Sequence, residues 1–208
     1  MNLLENFINE CDIALKTLSF KKSGTGRLYP ANEAPSSLSK EEKNLSAQLM
    51  RVNLAGEVAA QALYRGQAMV CKDAEIKNHL VQAGEEETDH LIWCKKRLEE
   101  LNGKPSILNP VWYAGSFAIG AIFGSFGEKT SLGFVEETEK QVVKHLERHL
   151  DKVSKNDTET IEILKTMRAD EDEHAQEAVE NGSESLSQPT KKLMNFTAKV
   201  MTSSSAYI

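Results

Sequence analysis

The sequence has few cysteines, and no two of them are spaced for a shared site. Its three cysteines, Cys11, Cys71 and Cys94, lie far apart, and no Cys-x-x-Cys motif occurs. A zinc ribbon, a thioredoxin-type dithiol and a rubredoxin-type iron site all depend on such a motif. These three kinds of site are therefore unsupported, and the isolated cysteines favour a reducing compartment.

The sequence also lacks an excess of positive charge. It contains 25 Lys and Arg residues against 31 Asp and Glu residues, for a net charge of −6. This balance argues against nucleic acid as a partner, because few cations are available to neutralise phosphates. The first twenty residues have no basic start and no uninterrupted apolar core, so they do not resemble a signal peptide. We therefore expect the protein to act on the cytoplasmic side.

Segments that alternate with the two-residue period of a β-strand are absent as well. Apolar residues instead recur at helical spacing, which predicts an all-α protein. Ser39 and Glu42 form a capping box at one helix start, and Gly103 with Pro105 provides a stop. The predicted helices span residues 2–20, 39–70, 73–102, 131–154 and 157–181, and an amphipathic piece begins at Ser187 and Pro189.

Charge is missing altogether from residues 105–127, the run PSILNPVWYAGSFAIGAIFGSFG. The run is almost long enough to span a bilayer, although its Gly, Pro and Ser residues make it only moderately apolar. Hydropathy alone leaves two interpretations open: a segment at a membrane, or a helix buried in the protein core.

The sequence contains two Glu-x-x-His motifs, Glu87 to His90 and Glu171 to His174. Residues three apart share a helical face, so each motif can direct a carboxylate and an imidazole at one point. Each pair falls in phase with the apolar stripe of its predicted helix. Because a carboxylate in a core is costly unless it is paired or binds a metal, this phase indicates a ligand role.

The other two long helices supply further carboxylates. Glu57 lies in one of them, and Glu136 and Glu139 share the apolar face of the other. The pattern E…ExxH…E…ExxH is typical of di-iron carboxylate four-helix bundles, and its oxygen and imidazole ligands favour iron or manganese. We therefore predict a ferritin-like four-helix bundle over residues 39–182. An N-terminal helix and loop (1–38) and a C-terminal amphipathic tail (183–208) flank it.

Simpler interpretations exist for single residues. Glu87 alone could be a solvated acid in the run Glu85-Glu86-Glu87, and Glu136 could belong to a charged helix face. Tyr64 and Trp112 are residue types that more often anchor a core or an interface than react. Only the six positions taken together, in phase on four helices, favour the metal site.

The metal site constrains the uncharged segment, which lies between the second and third ligand helices. A single membrane crossing there would place Glu57 and Glu87 on one side of the bilayer and Glu171 on the other. The segment is therefore expected to form an apolar helical hairpin, or to lie in the membrane interface. Trp112 and Tyr113 suit the headgroup level. The C-terminal piece, with its lysines, predicts a second interfacial contact.

Five motifs resemble those of the demethoxyubiquinone hydroxylase family, and the likeness runs from about residue 50 to the fourth ligand helix. They are MRVNLAGE at 50–57, YRGQ at 64–67, EEETDH at 85–90, LNPVW at 108–112 and GFVEE at 133–137. The resemblance implies a di-iron monooxygenase that uses O₂ to hydroxylate a 2-polyprenyl-3-methyl-6-methoxy-1,4-benzoquinol (demethoxyubiquinol) in ubiquinone biosynthesis. It further implies two iron ions per chain and reduction by NADH or by the quinol.

The resemblance also implies site residues and a location. Its iron ligands are Glu57, Glu87, His90, Glu171 and His174. The family's Val-Glu-Glu motif points to Glu136 as the third-helix ligand. The ligand pattern has two halves: Glu57 with Glu87 and His90, and a third-helix carboxylate with Glu171 and His174. The spacing within the first half points nearer Glu139, so both residues are retained. The family implies a peripheral membrane protein, which we expect on the cytoplasmic face of the cell membrane. A homo-oligomer and a complex of ubiquinone-biosynthesis proteins are both compatible with the sequence.

Three other functions compete with this one. An iron-storage protein of ferritin type needs a closed shell, in which an exposed apolar segment is a liability. A peroxide-reducing di-iron protein normally needs an electron-delivering iron site, for which no Cys-x-x-Cys motif is available. A metal-free helical module that interacts with membranes would carry no iron after purification.

Overall fold

A computed structural model of the chain describes residues 3–31 and 37–208, without the side chains of residues 3, 4, 6 and 7. These residues form seven helices and no strand, which confirms the all-α prediction. The helices are α1 (Leu3–Leu18), α2 (Lys40–Val70), α3 (Ala74–Glu100), α4 (Asn109–Ser125), α5 (Glu128–Lys152), α6 (Thr158–Glu180) and α7 (Gln188–Ser205).

Local capping residues determine where most of these helices begin. At the start of α2, Ser39 Oγ accepts a hydrogen bond from the Glu42 N–H, and the Glu42 carboxylate accepts one from the Ser39 N–H. This is the predicted capping box, which satisfies two N–H groups that the helix itself leaves unpaired. Asp73, Asp157 and Ser187 cap α3, α6 and α7 with side chains that accept hydrogen bonds from backbone N–H groups of the first turn. Helix α5 begins at Glu128, three residues earlier than predicted, directly after Gly127 with a φ of 104°.

The four long helices α2, α3, α5 and α6 form the ferritin-like bundle. Helix α5 runs antiparallel to α2: Gln67 donates to the Ser131 carbonyl near one end, and Ser154 donates to Glu42 near the other. Helix α6 runs antiparallel to α3, because His174 contacts Glu86 whereas Thr160 contacts Arg97. The core between the helices is apolar; its fully buried members include Met50, Leu54, Leu80, Leu98, Leu146 and Leu164.

The uncharged segment forms one helix, α4, and the expected hairpin is wrong. Arg51, near the start of α2, donates to the Lys104 carbonyl, so the chain leaves α3 at that end of the bundle. Helix α5 begins at the opposite end, where Gln67 contacts Ser131. A hairpin would return the chain to the end of the bundle that it left. Helix α4 has 17 residues and is roughly 25 Å long at 1.5 Å per residue, so it carries the chain to the opposite end. Helix α4 is therefore a crossover that runs the length of the bundle along one side.

Helix α4 packs against α2 at backbone distance. A Cβ added to Gly120 would lie 2.2 Å from the Leu63 carbonyl oxygen, and one added to Gly66 would lie 2.2 Å from that of Phe117. Gly120 approaches Leu63 and Gly124 approaches Gln67, so both helices advance by four residues in the same direction and run parallel. The glycines let the helix axes approach each other more closely than side chains would permit. The outward side of α4 stays exposed and apolar.

No helix among the described residues is both long enough and apolar enough to cross a bilayer.

Candidate metal centre

Four side chains from three helices meet in the middle of the bundle. Glu57 of α2, Glu87 and His90 of α3, and Glu171 of α6 each offer one ligand atom, and all four atoms lie within 4.8 Å of one another. Each of these side chains is almost completely buried. The helical phase of the two Glu-x-x-His motifs thus correctly predicted their inward orientation.

Both histidines of these motifs turn the same ring nitrogen toward the carboxylates. His90 Nδ1 lies 3.0 Å from Glu87 Oε2, 3.1 Å from Glu171 Oε1 and 3.8 Å from Glu57 Oε2. His174 Nδ1 lies 3.2 Å from Glu87 Oε1 and 3.4 Å from Glu171 Oε2. Glu87 and Glu171 each contact both imidazoles, so they occupy the centre of the cluster.

Helix α5 supplies a further buried carboxylate, Glu139, which is 1% exposed. The Tyr64 hydroxyl donates a hydrogen bond to Glu139 Oε1 over 2.8 Å. Burial, followed by the proximity of Glu171 and Glu87, raises the pKa of the Glu139 carboxyl well above its usual range. Glu139 therefore belongs to the same buried cluster, with its orientation fixed from α2.

Glu136, the other candidate on α5, lies elsewhere. Its carboxylate contacts Lys140 and Ser183 near the surface, and these partners lower its pKa against the effect of burial. Three residues correspond to about 300° of helical rotation, so the two side chains leave α5 about 60° apart: Glu139 points into the bundle, and Glu136 lies at the edge of the same face, beside the tail. The geometry brings Glu139 to the cluster and does not bring Glu136.

Each histidine also has an acidic partner on its outer nitrogen. His90 Nε2 lies 2.8 Å from Asp170 Oδ2, and His174 Nε2 lies 2.9 Å from Glu86 Oε2. Such pairs fix the orientation of an imidazole and make it a better ligand. Neither Asp170 nor Glu86 was predicted from the sequence. Their positions immediately before Glu171 and Glu87 were the available signal.

The cluster contains more buried carboxylates than imidazoles, so negative charge is in excess. Burial, followed by the proximity of Glu87 and Glu171, raises the pKa of Glu57 well above its usual range. Burial disfavours the charged form of His90, but the Glu87 and Glu171 carboxylates outweigh it and raise the pKa of that imidazole. A bound cation would therefore be favoured at this cluster, because it would balance the negative charge of the carboxylates.

Several polar atoms at the centre lie close to one another but form no hydrogen bond. Among the described residues, Glu87 Oε1, Glu171 Oε2 and His174 Nδ1 are buried and make no hydrogen bond of normal geometry. Buried polar groups are nearly always hydrogen-bonded, so three exceptions within one cluster indicate a missing partner. A cation would satisfy all three, because carboxylate oxygens and imidazole nitrogens are common ligands of iron, manganese and related metals. The residues present therefore fit a metal site.

An apolar groove leads from the surface to this cluster. It encloses about 1200 Å³ between α2, α4, α5 and α7. Its outer part is lined by apolar side chains that include Val111, Ile119 and Phe196, and its inner part reaches Glu57, Glu139 and Glu171. A small polar head group attached to a long apolar chain matches this distribution.

The three aromatic residues singled out in the sequence take different positions. Tyr64 is buried beside the cluster, as described above. Trp112 lines the groove and donates from Nε1 to Ser205 Oγ over 3.0 Å, which links α4 to the end of α7. Tyr113 is buried in the core, where burial raises its pKa to about 12. Its expected place at the headgroup level therefore does not agree with the structure.

Comparison with known proteins gives one consistent result. Residues 44–205 match the family model described as "Ubiquinone biosynthesis protein COQ7". The chain is 51% identical over 209 residues to a protein of Legionella pneumophila (strain Lens), covering 100% of this chain and 98% of the relative. It is 47% identical to proteins of Francisella philomiragia, covering 97% and 96%, and of Nitrosococcus oceani, covering 100% and 98%. All three relatives carry the name 3-demethoxyubiquinol 3-hydroxylase. The chain therefore belongs to the COQ7 family of ubiquinone biosynthesis proteins.

Proposed function

We propose that this protein is an O₂-dependent di-iron monooxygenase that hydroxylates demethoxyubiquinol in ubiquinone biosynthesis. The observation that carries the proposal is a buried cluster of four carboxylates and two imidazoles at the inner end of an apolar groove. Full-length similarity to proteins named 3-demethoxyubiquinol 3-hydroxylase supports the same reaction.

The six residues that would hold the metal are Glu57, Glu87, His90, Glu139, Glu171 and His174. Their four carboxylates can carry four negative charges, which two divalent cations balance. That balance supports a count of two, because uncompensated charge in a protein interior is strongly unfavourable. When bound, iron supplies the activation of O₂, which amino-acid side chains cannot perform.

The protein's own residues orient and insulate this centre. Tyr64 holds Glu139 through its hydroxyl, and Asp170 and Glu86 hold the outer nitrogens of the two imidazoles. Apolar core residues surround the cluster and exclude water; Leu54, Leu91 and Met167 are among them. Fixed ligands in a dry site lower the reorganisation that the reaction requires.

The groove supports a quinol substrate with a polyprenyl tail. Its apolar outer part suits the tail, and its inner end suits a hydroxylated ring. Asn53, one helical turn before Glu57, lines the groove, is 3% exposed and has an Oδ1 without a hydrogen-bond partner among the described residues. A ring hydroxyl could donate to this oxygen and so orient the ring toward the carboxylates.

The proposed reaction balances with an external reductant. One atom of O₂ enters a ring C–H bond as a hydroxyl group, and the other leaves as water. Two electrons and two protons complete the water, with NADH or a quinol as their source. The products are the hydroxylated quinol, water and the oxidised reductant.

The exposed apolar residues support a location at the cytoplasmic face of the cell membrane. Val111 and Ile122 of α4 and Leu193, Phe196 and Val200 of α7 are exposed. Lys191, Lys192 and Lys199 lie on the same helix as the second group. Apolar residues beside lysines favour the interface of an anionic membrane, from which a tailed quinol could enter the groove.

The test is a single-turnover assay with iron-loaded protein. The protein is reconstituted anaerobically with Fe(II), its iron content is measured, and ¹⁸O₂ is added with a short-tailed demethoxyubiquinol. We expect two iron ions per chain and one ¹⁸O atom in the quinol product. Iron binding far beyond two ions per chain would favour storage, and oxidised iron with an unchanged quinol would contradict the monooxygenase.

A further inference from the structure

We propose that residues 22–27, here called the N-terminal strap, belong to the metal centre, and that Arg27 positions His90 through Asp170. The proposal rests on the metal site of the proposed function. The strap precedes residues 44–205, the part of the chain that the family model matches.

The strap lies across the outer side of α3 and α6 and binds there through specific polar contacts. Lys22 Nζ lies 3.1 Å from Glu85 Oε1. The Thr25 N–H donates to Asp89 Oδ1 over 3.1 Å, and the Thr25 hydroxyl donates to the other oxygen of the same carboxylate. Asp89 is 2% exposed, and its carboxylate would lose both of these hydrogen bonds if the strap were displaced.

The strap approaches α3 closely at Gly24. A Cβ added to Gly24 would lie 2.0 Å from Asp89 Oδ1, so a larger residue at this position would require either the Asp89 side chain or the strap to move. The strap is therefore part of the folded protein surface beside the ligand helices.

Arg27 forms the contact that reaches the metal centre. Its two terminal nitrogens contact both carboxylate oxygens of Asp170. Nη1 lies 2.7 Å from Oδ2, and Nη2 donates to Oδ1 over 3.0 Å. Asp170 Oδ2 in turn lies 2.8 Å from His90 Nε2, and His90 Nδ1 faces the carboxylate cluster. A bidentate arginine fixes the plane of a carboxylate, and that plane fixes the imidazole.

Trp93 secures the arginine from a second direction. The guanidinium carbon of Arg27 lies 4.9 Å from the Trp93 ring centroid, and the Trp93 ring lies 5.3 Å from that of His90. Stacking on an aromatic ring restricts the guanidinium further, since a cation is attracted to the ring face. Arg27 is thus held by Asp170 and Trp93, both of which contact His90.

The other imidazole has no hydrogen-bonded support of this kind from the strap; Arg27 interacts with its partner Glu86 only through charge. His174 Nε2 contacts Glu86, whose remaining described hydrogen bond comes from the neutral amide of Gln82 on the same helix, over 3.1 Å. The two halves of the site resemble each other in their ligands but differ in their outer contacts. Arg27 should therefore act on the ion nearest His90 more than on the ion nearest His174.

The test is anaerobic titration of metal-free protein with Fe(II), followed by equilibrium dialysis. For Arg27→Ala we expect one of the two equivalents to bind about 10–100-fold more weakly, the usual effect of removing an outer partner of a metal ligand, and the other to be unchanged. Arg27→Lys keeps the charge but loses the bidentate contact, and should recover part of the affinity. The matched control is Arg168→Ala, which removes an exposed pair with Glu147 on the same bundle.

The possible results separate the two proposals. Wild-type affinity for both equivalents in Arg27→Ala would overturn the role of the strap. Equal weakening of both equivalents, with a lower melting temperature of the metal-free variant than of Arg168→Ala, would also overturn it, because it would indicate a general loss of structure. Wild-type protein that binds fewer than two equivalents would overturn the di-iron proposal itself, and the strap proposal with it.

Discussion

At the scale of single residues, the position of a carboxylate along one helix decides its chemistry. Glu136 and Glu139 both lie on α5 and differ by three positions. Glu139 is buried against Tyr64 and the cluster, whereas Glu136 contacts Lys140 and Ser183. Two residues of identical chemistry are thus expected to have unrelated roles.

This difference gives a direct test of the third-helix ligand. We expect Glu139→Gln to lower kcat by at least about 100-fold, because loss of a ligand should exceed the 10–100-fold effect typical of an outer partner. Glu136→Gln, the matched control on the same helix, should retain near wild-type activity and iron content. Iron analysis and steady-state hydroxylation measure both. The reverse pattern would show that Glu136 is the ligand.

The sequence predicted five of the six clustered residues directly, because periodicity alone determines which face of a helix is buried. It could not separate Glu136 from Glu139, since both fall within the broad apolar face of α5. The outer partners Asp170 and Glu86 were missed for another reason. Each lies immediately before a predicted ligand, but it contacts a histidine more than 75 positions away, and adjacency in the sequence does not indicate which histidine that is.

At the scale of helices, the parallel pair α2 and α4 determines the shape of the bundle. Gly120 and Gly66 allow backbone-to-backbone contact, and the crossover then delivers the chain to the start of α5. The long helices and their caps were predictable because capping residues act locally. The single crossover helix was not, because hydropathy does not report which ends of the bundle a segment must join.

Substitution of glycines on α4 tests this contact. Gly120→Ala would place a Cβ 2.2 Å from the Leu63 carbonyl oxygen, and neither backbone can yield without separating the helices. Overpacking of this kind costs about 1–3 kcal/mol, which should exceed the gain of about 1 kcal/mol from replacing a helical glycine. We therefore expect a lower free energy of unfolding in urea.

Gly115→Ala is the matched control on the same helix. An added Cβ there meets no atom within 4 Å, so only the gain in helix propensity remains, and stability should rise by up to about 1 kcal/mol. Equal effects of the two substitutions would contradict the close packing of α2 and α4.

At the scale of the whole molecule, the groove and the strap are built on different helices. The groove between α4 and α7 opens beside exposed Val111, Ile122 and Phe196, whereas the strap covers the side formed by α3 and α6. A molecule bound to a membrane through α4 and α7 would thus present the groove to lipid and the strap to water. This arrangement supports entry of the quinol without passage through solvent.

Membrane association can be measured by co-sedimentation with vesicles of phosphatidylethanolamine and phosphatidylglycerol. Phe196 is 63% exposed, and its transfer into the interface would contribute about 1.5–3 kcal/mol. Phe196→Asp should therefore weaken binding by roughly 10–100-fold. Val179→Asp alters an exposed apolar residue of α6 and should bind as wild type. Wild-type protein that stays in the supernatant would contradict the proposed location.

The close contact between Gly120 and Leu63 has a consequence for a residue far along the chain. It sets the position of α4 along α2, and therefore the place at which the chain turns at Gly127. Gln67 of α2 then anchors the start of α5 through Ser131. From that anchor, the rotation per residue determines which side chain of α5 points inward two turns later. The inward position of Glu139 therefore depends on this anchor, and an insertion of one residue between Ser131 and Glu139 would turn a different side chain toward the cluster.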